Sequence, residues 1–152
     1  MEHYGLEDKV REESIRAEQY DVLVIGAGQA GLATGYYLAL HRINFVIPDD
    51  ASEVGEVWSE RWDSLRLFSP VKYSSLPGFA FPAAPFHLPH KDEVAAYFKA
   101  YVTRFQLPVR LGVNVIGVRR QGQLYILKTI WGCSLPRTWW LPCRHRPGAR
   151  WQ

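Results

Sequence analysis

Three glycines constrain this chain more than any other feature. They stand as Gly26-Ala-Gly28-Gln-Ala-Gly31, directly after the run Tyr20-Asp-Val-Leu-Val-Ile25. From Ala30 onward, Leu32, Ala33, Tyr36, Tyr37 and Leu38 recur at helical spacing as far as Leu40. A β-branched run without alternation suits a parallel strand covered on both faces. Ile43-Asn-Phe-Val-Ile47 reads as a second strand, so strand, glycine turn, helix and strand make a βαβ unit with a right-handed crossover. The expected class is α/β.

Each glycine then has a physical task. Gly26 permits a tight turn, Gly28 lets backbone approach a pyrophosphate, and Gly31 lets helix and strand pack closely. The free amides and positive dipole end of the helix would meet the diphosphate charge. Asp49 follows Gly26 by 23 residues, where a carboxylate can accept hydrogen bonds from ribose hydroxyls, and Asp50 is the adjacent candidate. The bland alternative is a tight βα turn with solvated acids. Agreement of strand, glycines, helix and acid favours dinucleotide binding, but the turn alone does not separate NAD from FAD.

Residues 1–19 are polar and read as a flexible arm. Residues 51–90 show little periodicity and much Pro, Trp and Phe, which in a compact domain marks a functional stretch or one carrying short helices. Lys91–Phe105 is an amphipathic helix with Asp92 and Glu93 in its first turn and an apolar stripe through Val94, Tyr97, Phe98, Tyr101 and Phe105. His90 falls at its N-cap, and Pro108 is expected to stop it. Val109–Leu111, Val113–Val118 and Gln123–Thr129 are short strand candidates joined by a turn at Arg119–Gly122. The tail from 130 to 152 holds four of the six Trp, both Cys and four Arg without a period, and is expected to be irregular and outside the native fold.

All 15 acidic residues precede Val94, whereas ten of the 18 Lys and Arg follow Glu93. The basic residues neither cluster on one helix face nor interleave with stacking aromatics, so no nucleic-acid partner is expected. No uncharged run is long enough, free of glycine, to span a membrane, and the Glu-rich start does not read as a secretory signal. Cys133 and Cys143 form no CxxC pair; no metal site and a cytoplasmic setting are the expectation. His87 and His90, lacking a neighbouring acid or metal-ligand spacing, read as structural.

Four blocks in order, GAGQAGLATGYYL at Gly26–Leu38, GEVW at Gly55–Trp58, RWDSLRLFSP at Arg61–Pro70 and KDEVAAYF at Lys91–Phe98, resemble the flavin-containing monooxygenase-like flavoproteins. The resemblance runs from about Tyr20 to Thr129. It implies a partial FAD-binding Rossmann-type domain over 20–129 with a short β-meander, and FAD as cofactor. Gly26, Gly28, Gln29, Ala30 and Gly31 would surround the pyrophosphate, and Asp49 would take the adenosine ribose. Val57 and Trp58 would run along the flavin, with Arg61 as a charge partner or stacking group. Phe68 and Ser69 would line the flavin and nicotinamide region, and the Val115 backbone would meet the adenine. Core packing is the competing reading for Trp58, Trp62 and Phe68, and a solvated or carboxylate-paired side chain for Arg61 and Arg66. Pro48 and the short Asp49 depart from the family pattern of an aliphatic residue followed by Glu, a change expected to shift the carboxylate and weaken binding.

Family members are longer, with a second glycine motif for NADPH and a later Ala-Thr-Gly strand that closes the FAD site; this chain contains neither motif. We therefore expect a truncated FAD-binding portion of an NADPH-dependent monooxygenase that acts on a small molecule in full-length relatives, with residues from about Ile130 in a shifted or foreign frame. No side chain stands out as a catalytic acid, base or nucleophile. The rival readings are a non-catalytic dinucleotide- or partner-binding βαβ module and a fragment of an NAD-dependent dehydrogenase.

Overall fold

The structure, a computed structural model, describes residues 19–122, 124–131 and 136–142. Strand β1 (Val22–Leu23), helix α1 (Gln29–Leu40) and strand β2 (Phe45–Pro48) form the expected βαβ unit. With β3 (Val109–Arg110) they make a parallel sheet in the order β1-β2-β3, with Val22 opposite Phe45 and Ile47 opposite Val109. Only two residues of the expected first strand are regular, yet the ladder continues beyond them. The Val24 amide donates to the Val46 carbonyl (3.0 Å) and the Gly26 amide to the Pro48 carbonyl (2.8 Å).

The layers explain why β2 shows no alternation. Phe45 and Ile47 face one way and join the main core with Leu32, Tyr97 and Tyr101. Val46 faces the other way and packs with Leu127 and Val115. Helices cover one face and a β-meander the other, so all four residues of β2 are buried. Successive strand side chains point to opposite faces, and here both faces are dry.

Helix α3 (Lys91–Phe105) supplies most of the helical wall. Val94, Tyr97, Phe98 and Tyr101 are buried, as the sequence stripe predicts, and Phe105 is partly buried against them. Phe105 meets Tyr36 of α1 edge-on, with ring centroids 4.8 Å apart. His90 is the N-cap: its backbone N–H donates to the Glu93 carboxylate at 2.7 Å. Its Nε2–H donates to the Asp63 carbonyl, which leaves Nδ1 as acceptor for the Asp92 amide at 3.4 Å. The helix ends at Gln106 in a left-handed conformation (φ 49°), two residues before the expected stop at Pro108.

The stretch 51–90 carries α2 (Glu56–Ser59) and a 3-10 turn at Val71–Tyr73. Its order comes from α3. The Tyr97 hydroxyl donates to the Phe79 carbonyl (2.5 Å) and accepts the Leu76 amide (2.7 Å), while the Tyr101 hydroxyl donates to the Pro77 carbonyl (2.6 Å). Lys91 Nζ donates to the Ser59 carbonyl at 2.8 Å. His87, which has no acid beside it in sequence, lies 2.9 Å from the Glu93 carboxylate across the same junction. Both histidines sit in helix-start contacts: His87 meets Glu93, six residues on, and His90 meets Asp92, two residues on, so an acid does stand near His90 in sequence.

Strands β4 (Val113–Gln121), β5 (Leu124–Trp131) and β6 (Pro136–Pro142) form an antiparallel meander in that order. A bulge lies between Val115 and Gly117, and Gly122 turns the chain with φ 62°. The tail was expected to be irregular. Instead Pro136–Pro142 pairs with β5, Leu141 opposite Tyr125 and Arg137 opposite Thr129. The pairing joins backbone groups along β5, and backbone pairing needs no side-chain period. The remainder of the tail, including both cysteines, and the arm before Gln19 lie outside the described residues. Among the described residues no helix is long and apolar enough to cross a membrane.

Candidate functional site

The glycine turn sits between β1 and α1. Gly26 has φ 93°, a left-handed region that favours glycine. A Cβ on Gly31 would lie 1.9 Å from the Gly26 carbonyl oxygen, so the helix approaches the turn as closely as the backbone allows. Gly28 is the N-cap of α1 in an ordinary extended conformation (φ −77°), and no atom lies within 4 Å of where its Cβ would stand. No side chain caps α1 and no acid occupies its first turn. Its opening amides and positive dipole end therefore present an unneutralised concavity, the arrangement that suits an anion.

Asp49 stands across this opening, at the end of β2. Its Oδ2 accepts the Ala27 amide and its Oδ1 accepts the Ala51 amide at 2.9 Å. The Asp49 backbone is fixed by Arg110 (N–H to carbonyl, 2.9 Å) and by the Val113 amide (2.8 Å). Pro48 has no N–H to give the Val24 carbonyl, the next rung of the β1–β2 ladder, while its own carbonyl still accepts from Gly26. A carboxylate has about four acceptor sites, so two remain for another donor. Asp50 is exposed beside it.

Three cavities share Trp58 as a wall. The first, about 120 Å³, is bordered by Ala27, Gly28, Asp49, Val57, Trp58 and Phe98 among others. The second, about 110 Å³, has Gln29, Trp58, Ser69, Tyr73, Tyr97 and Phe98 in its lining. The third, about 260 Å³, includes Val57, Arg61 and Phe68. Trp58 owes its position to α2. The Ser52 amide donates to the Glu56 carboxylate at 2.9 Å, and the Ser52 hydroxyl bonded to it holds that carboxyl below its usual range. Gly55, at φ 84°, caps α2 where a Cβ would meet the Ala95 backbone at 2.8 Å.

The structure thus gathers Gly28, Gln29, Asp49, Val57, Trp58 and Ser69 around two adjoining cavities. Ala30 is exposed on the first turn of α1, and Gly31 lies buried beneath the Gly26 carbonyl. Arg61 is exposed, its Nε donating to the Val57 carbonyl at 3.2 Å, and Phe68 is 98% exposed. Val115 borders none of these three cavities; its side chain packs on Val46 and Leu127. Trp62, for which core packing was one reading, is 61% exposed. Sequence reasoning missed Tyr73, Tyr97 and Phe98. The two α3 residues belong to the core stripe, and only the packing shows that this stripe also walls a cavity. Among the described residues no group of three His, Cys, Asp or Glu could hold a metal.

A parallel βαβ unit with a bare helix N-terminus and a facing carboxylate is the arrangement that suits a dinucleotide. The chain belongs to the pyridine nucleotide-disulphide oxidoreductase family, whose pattern matches residues 23–132. The proteins it is similar to include oxidoreductases and flavin monooxygenases. It is 48% identical over 110 residues to an uncharacterized oxidoreductase, CzcO, of Bacillus velezensis, covering 72% of this chain and 32% of that one. A probable indole-3-pyruvate monooxygenase of Arabidopsis thaliana is 33% identical over 94 residues, 61% of this chain and 23% of the other. Among solved structures, the flavin-containing monooxygenase of Stenotrophomonas maltophilia superposes with a TM-score of 0.74 at 36% identity, over 82% of this chain and 37% of that one. The chain spans about a third of the length of the curated CzcO oxidoreductases it matches.

Proposed function

We propose that residues 20–129 bind FAD, with the diphosphate at the N-terminus of α1. The observation that supports this most is the open, uncapped start of α1 at Gly28. The residues present fit the group. A side-chain-free position lets backbone amides approach a diphosphate, and Asp49 retains acceptor sites for ribose hydroxyls. Gln29, Trp58 and Ser69 would face the flavin end, where the Trp58 indole excludes water. Ala30, Asp50, Val57, Arg61 and Phe68 are secondary contacts in this reading. Val115 would meet the adenine through its backbone, since its side chain is engaged elsewhere.

Bound FAD would supply hydride acceptance from NADPH and oxygen transfer to a small-molecule substrate. This chain's residues bind and orient it. No catalytic acid or base is assigned, and the sequence holds a single G-x-G-x-x-G. NADPH-dependent monooxygenation therefore belongs to the longer relatives' architecture in this reading. A cytoplasmic setting agrees with two cysteines in no disulfide-like pattern.

The test is a titration of the purified chain with FAD, followed by absorbance near ~450 nm after removal of free ligand. Retained yellow colour supports the proposal. Colourless protein that binds NADH would support a dehydrogenase fragment instead, and protein that binds neither would leave a partner-binding βαβ module.

A further inference from the structure

We propose that Lys91 is a positioning residue for the cavities that meet at Trp58: its buried ammonium fixes the far end of α2, and with it the indole. The effect of Lys91 on ligand binding rests on the FAD reading, whereas its effect on the indole does not.

Lys91 stands where a lysine is disfavoured twice. It is 7% exposed, and lysine is among the residues least often buried. It is also the first residue of α3, where the positive end of the helix dipole opposes a cation. An apolar residue would suit the burial, and an acid the dipole. A break with local rules of this kind goes with a task set elsewhere in the fold. The ammonium shows that task. Nζ donates to the Ser59 carbonyl at 2.8 Å, 32 residues earlier in the chain, and to Asp92 Oδ1 at 3.0 Å, with Asp63 Oδ1 at 3.6 Å.

A helix leaves its last carbonyls without intrahelical partners. Arg61 serves two of those in α2 locally: its Nε donates to the Val57 carbonyl at 3.2 Å, and its backbone amide to the Trp58 carbonyl at 3.1 Å. The Ser59 carbonyl instead bonds across to α3. At the other end of α2, a Cβ on Gly55 would come within 2.8 Å of the Ala95 Cα. Lys91 and Ala95 share one face of α3, as residues four apart do. Helix α2 therefore meets α3 at two points, Gly55 on Ala95 and Ser59 on Lys91, and runs antiparallel to it. Trp58 lies between those points and walls both the cavity at Gly28 and Asp49 and the cavity at Gln29 and Ser69. Two contacts stop α2 from pivoting, and one does not.

The experiment labels the full chain with 5-fluorotryptophan and follows the Trp58 fluorine resonance, assigned by its loss in Trp58→Phe, without FAD. Lys91→Met removes the donor without stranding a buried charge, and the Trp58 resonance should shift or broaden in it. Lys91→Arg keeps a cationic donor and should bring the resonance back toward its parent position. Glu93→Ala removes the capping carboxylate from the same turn, and is the control for general loosening of α3. Circular dichroism checks the fold of each variant, and Lys91→Gln replaces Lys91→Met if the latter does not fold. An unmoved Trp58 resonance in the folded Lys91 variant, or an equal displacement in Glu93→Ala, would overturn the proposal. FAD affinity is the second readout. Lys91→Met and Trp58→Phe should each weaken FAD by about tenfold and the double variant by about the same tenfold, since residues acting through one another are not additive. Additive losses, about a hundredfold in the double variant, would also overturn it. A parent chain that holds no FAD would end the FAD reading and leave the fluorine result to decide the role of Lys91.

Discussion

The carboxylate of Asp49 folds back onto the glycine turn and accepts the amide of Ala27, 22 residues earlier in the chain. One side chain thus braces the end of β2 against the mouth of α1 while keeping acceptor capacity for a ligand. Asp49→Ala should leave the buried Ala27 amide unpaired and cost about 1–3 kcal/mol in urea unfolding. It should also weaken FAD retention. Asp49→Asn keeps one acceptor oxygen but sets its NH2 against the second backbone N–H, so it should lose stability as well as FAD. Equal, wild-type stability of the alanine variant would show that the brace contributes nothing.

Gly31 and Gly28 should separate folding from binding. At Gly31 a methyl group meets the Gly26 carbonyl carbon and oxygen, which are backbone and cannot swing away. Gly31→Ala should therefore lower stability by about 2 kcal/mol or more. At Gly28 the space is open and φ suits any residue, so Gly28→Ala should unfold at nearly the wild-type urea concentration.

Tyr97 and Tyr101 hold the 51–90 stretch to α3, and burial, the first cause for each, pushes both hydroxyls above the usual tyrosine range. Their neutral forms are favoured in the fold. That contribution is intact below the unfolded tyrosine value near 10 and is lost as pH rises beyond it. An alkaline absorbance titration should show two of the eight tyrosines ionising late, together with unfolding. Tyr97→Phe would strand the Leu76 amide and the Phe79 carbonyl, at a cost of about 2 kcal/mol.

Acid should loosen the start of α3. The His90 backbone N–H, then the His87 ring, hold Glu93 below its ordinary value of 4.5. A depressed carboxylate stabilises the fold above its unfolded value and loses that effect as pH falls through the lower folded one. Unfolding of the wild type should therefore ease as pH drops below about 4.5, and Glu93→Gln should flatten part of that dependence. An identical acid profile in the variant would remove Glu93 from the account.

The βαβ unit, the N-cap at His90 and the stripe of α3 were legible because each rests on local rules: β-branched runs, glycine geometry and helical period. The stretch 51–90 was not, since its order comes from hydroxyls of Tyr97 and Tyr101 some twenty residues away. Strand β6 escaped for a related reason: its pairing with β5 is a backbone matter that Pro136–Pro142 do not signal by alternation. At the site, residue types pointed to Gly28, Asp49 and Trp58. They did not show that Asp49 braces the turn, that Trp58 divides three cavities, or that Phe68 and Trp62 stand in solvent.

The claim on which the functional reading stands is that backbone amides at the start of α1 hold the FAD diphosphate. Replacing Gly28 by Glu puts a negative charge into open space at that point, with room for the side chain and no backbone strain. FAD affinity of Gly28→Glu, measured beside its urea unfolding curve, is the decisive measurement. An affinity loss of about 100-fold or more with an unchanged unfolding midpoint is predicted. A folded Gly28→Glu variant that holds FAD as tightly as the parent chain would contradict it.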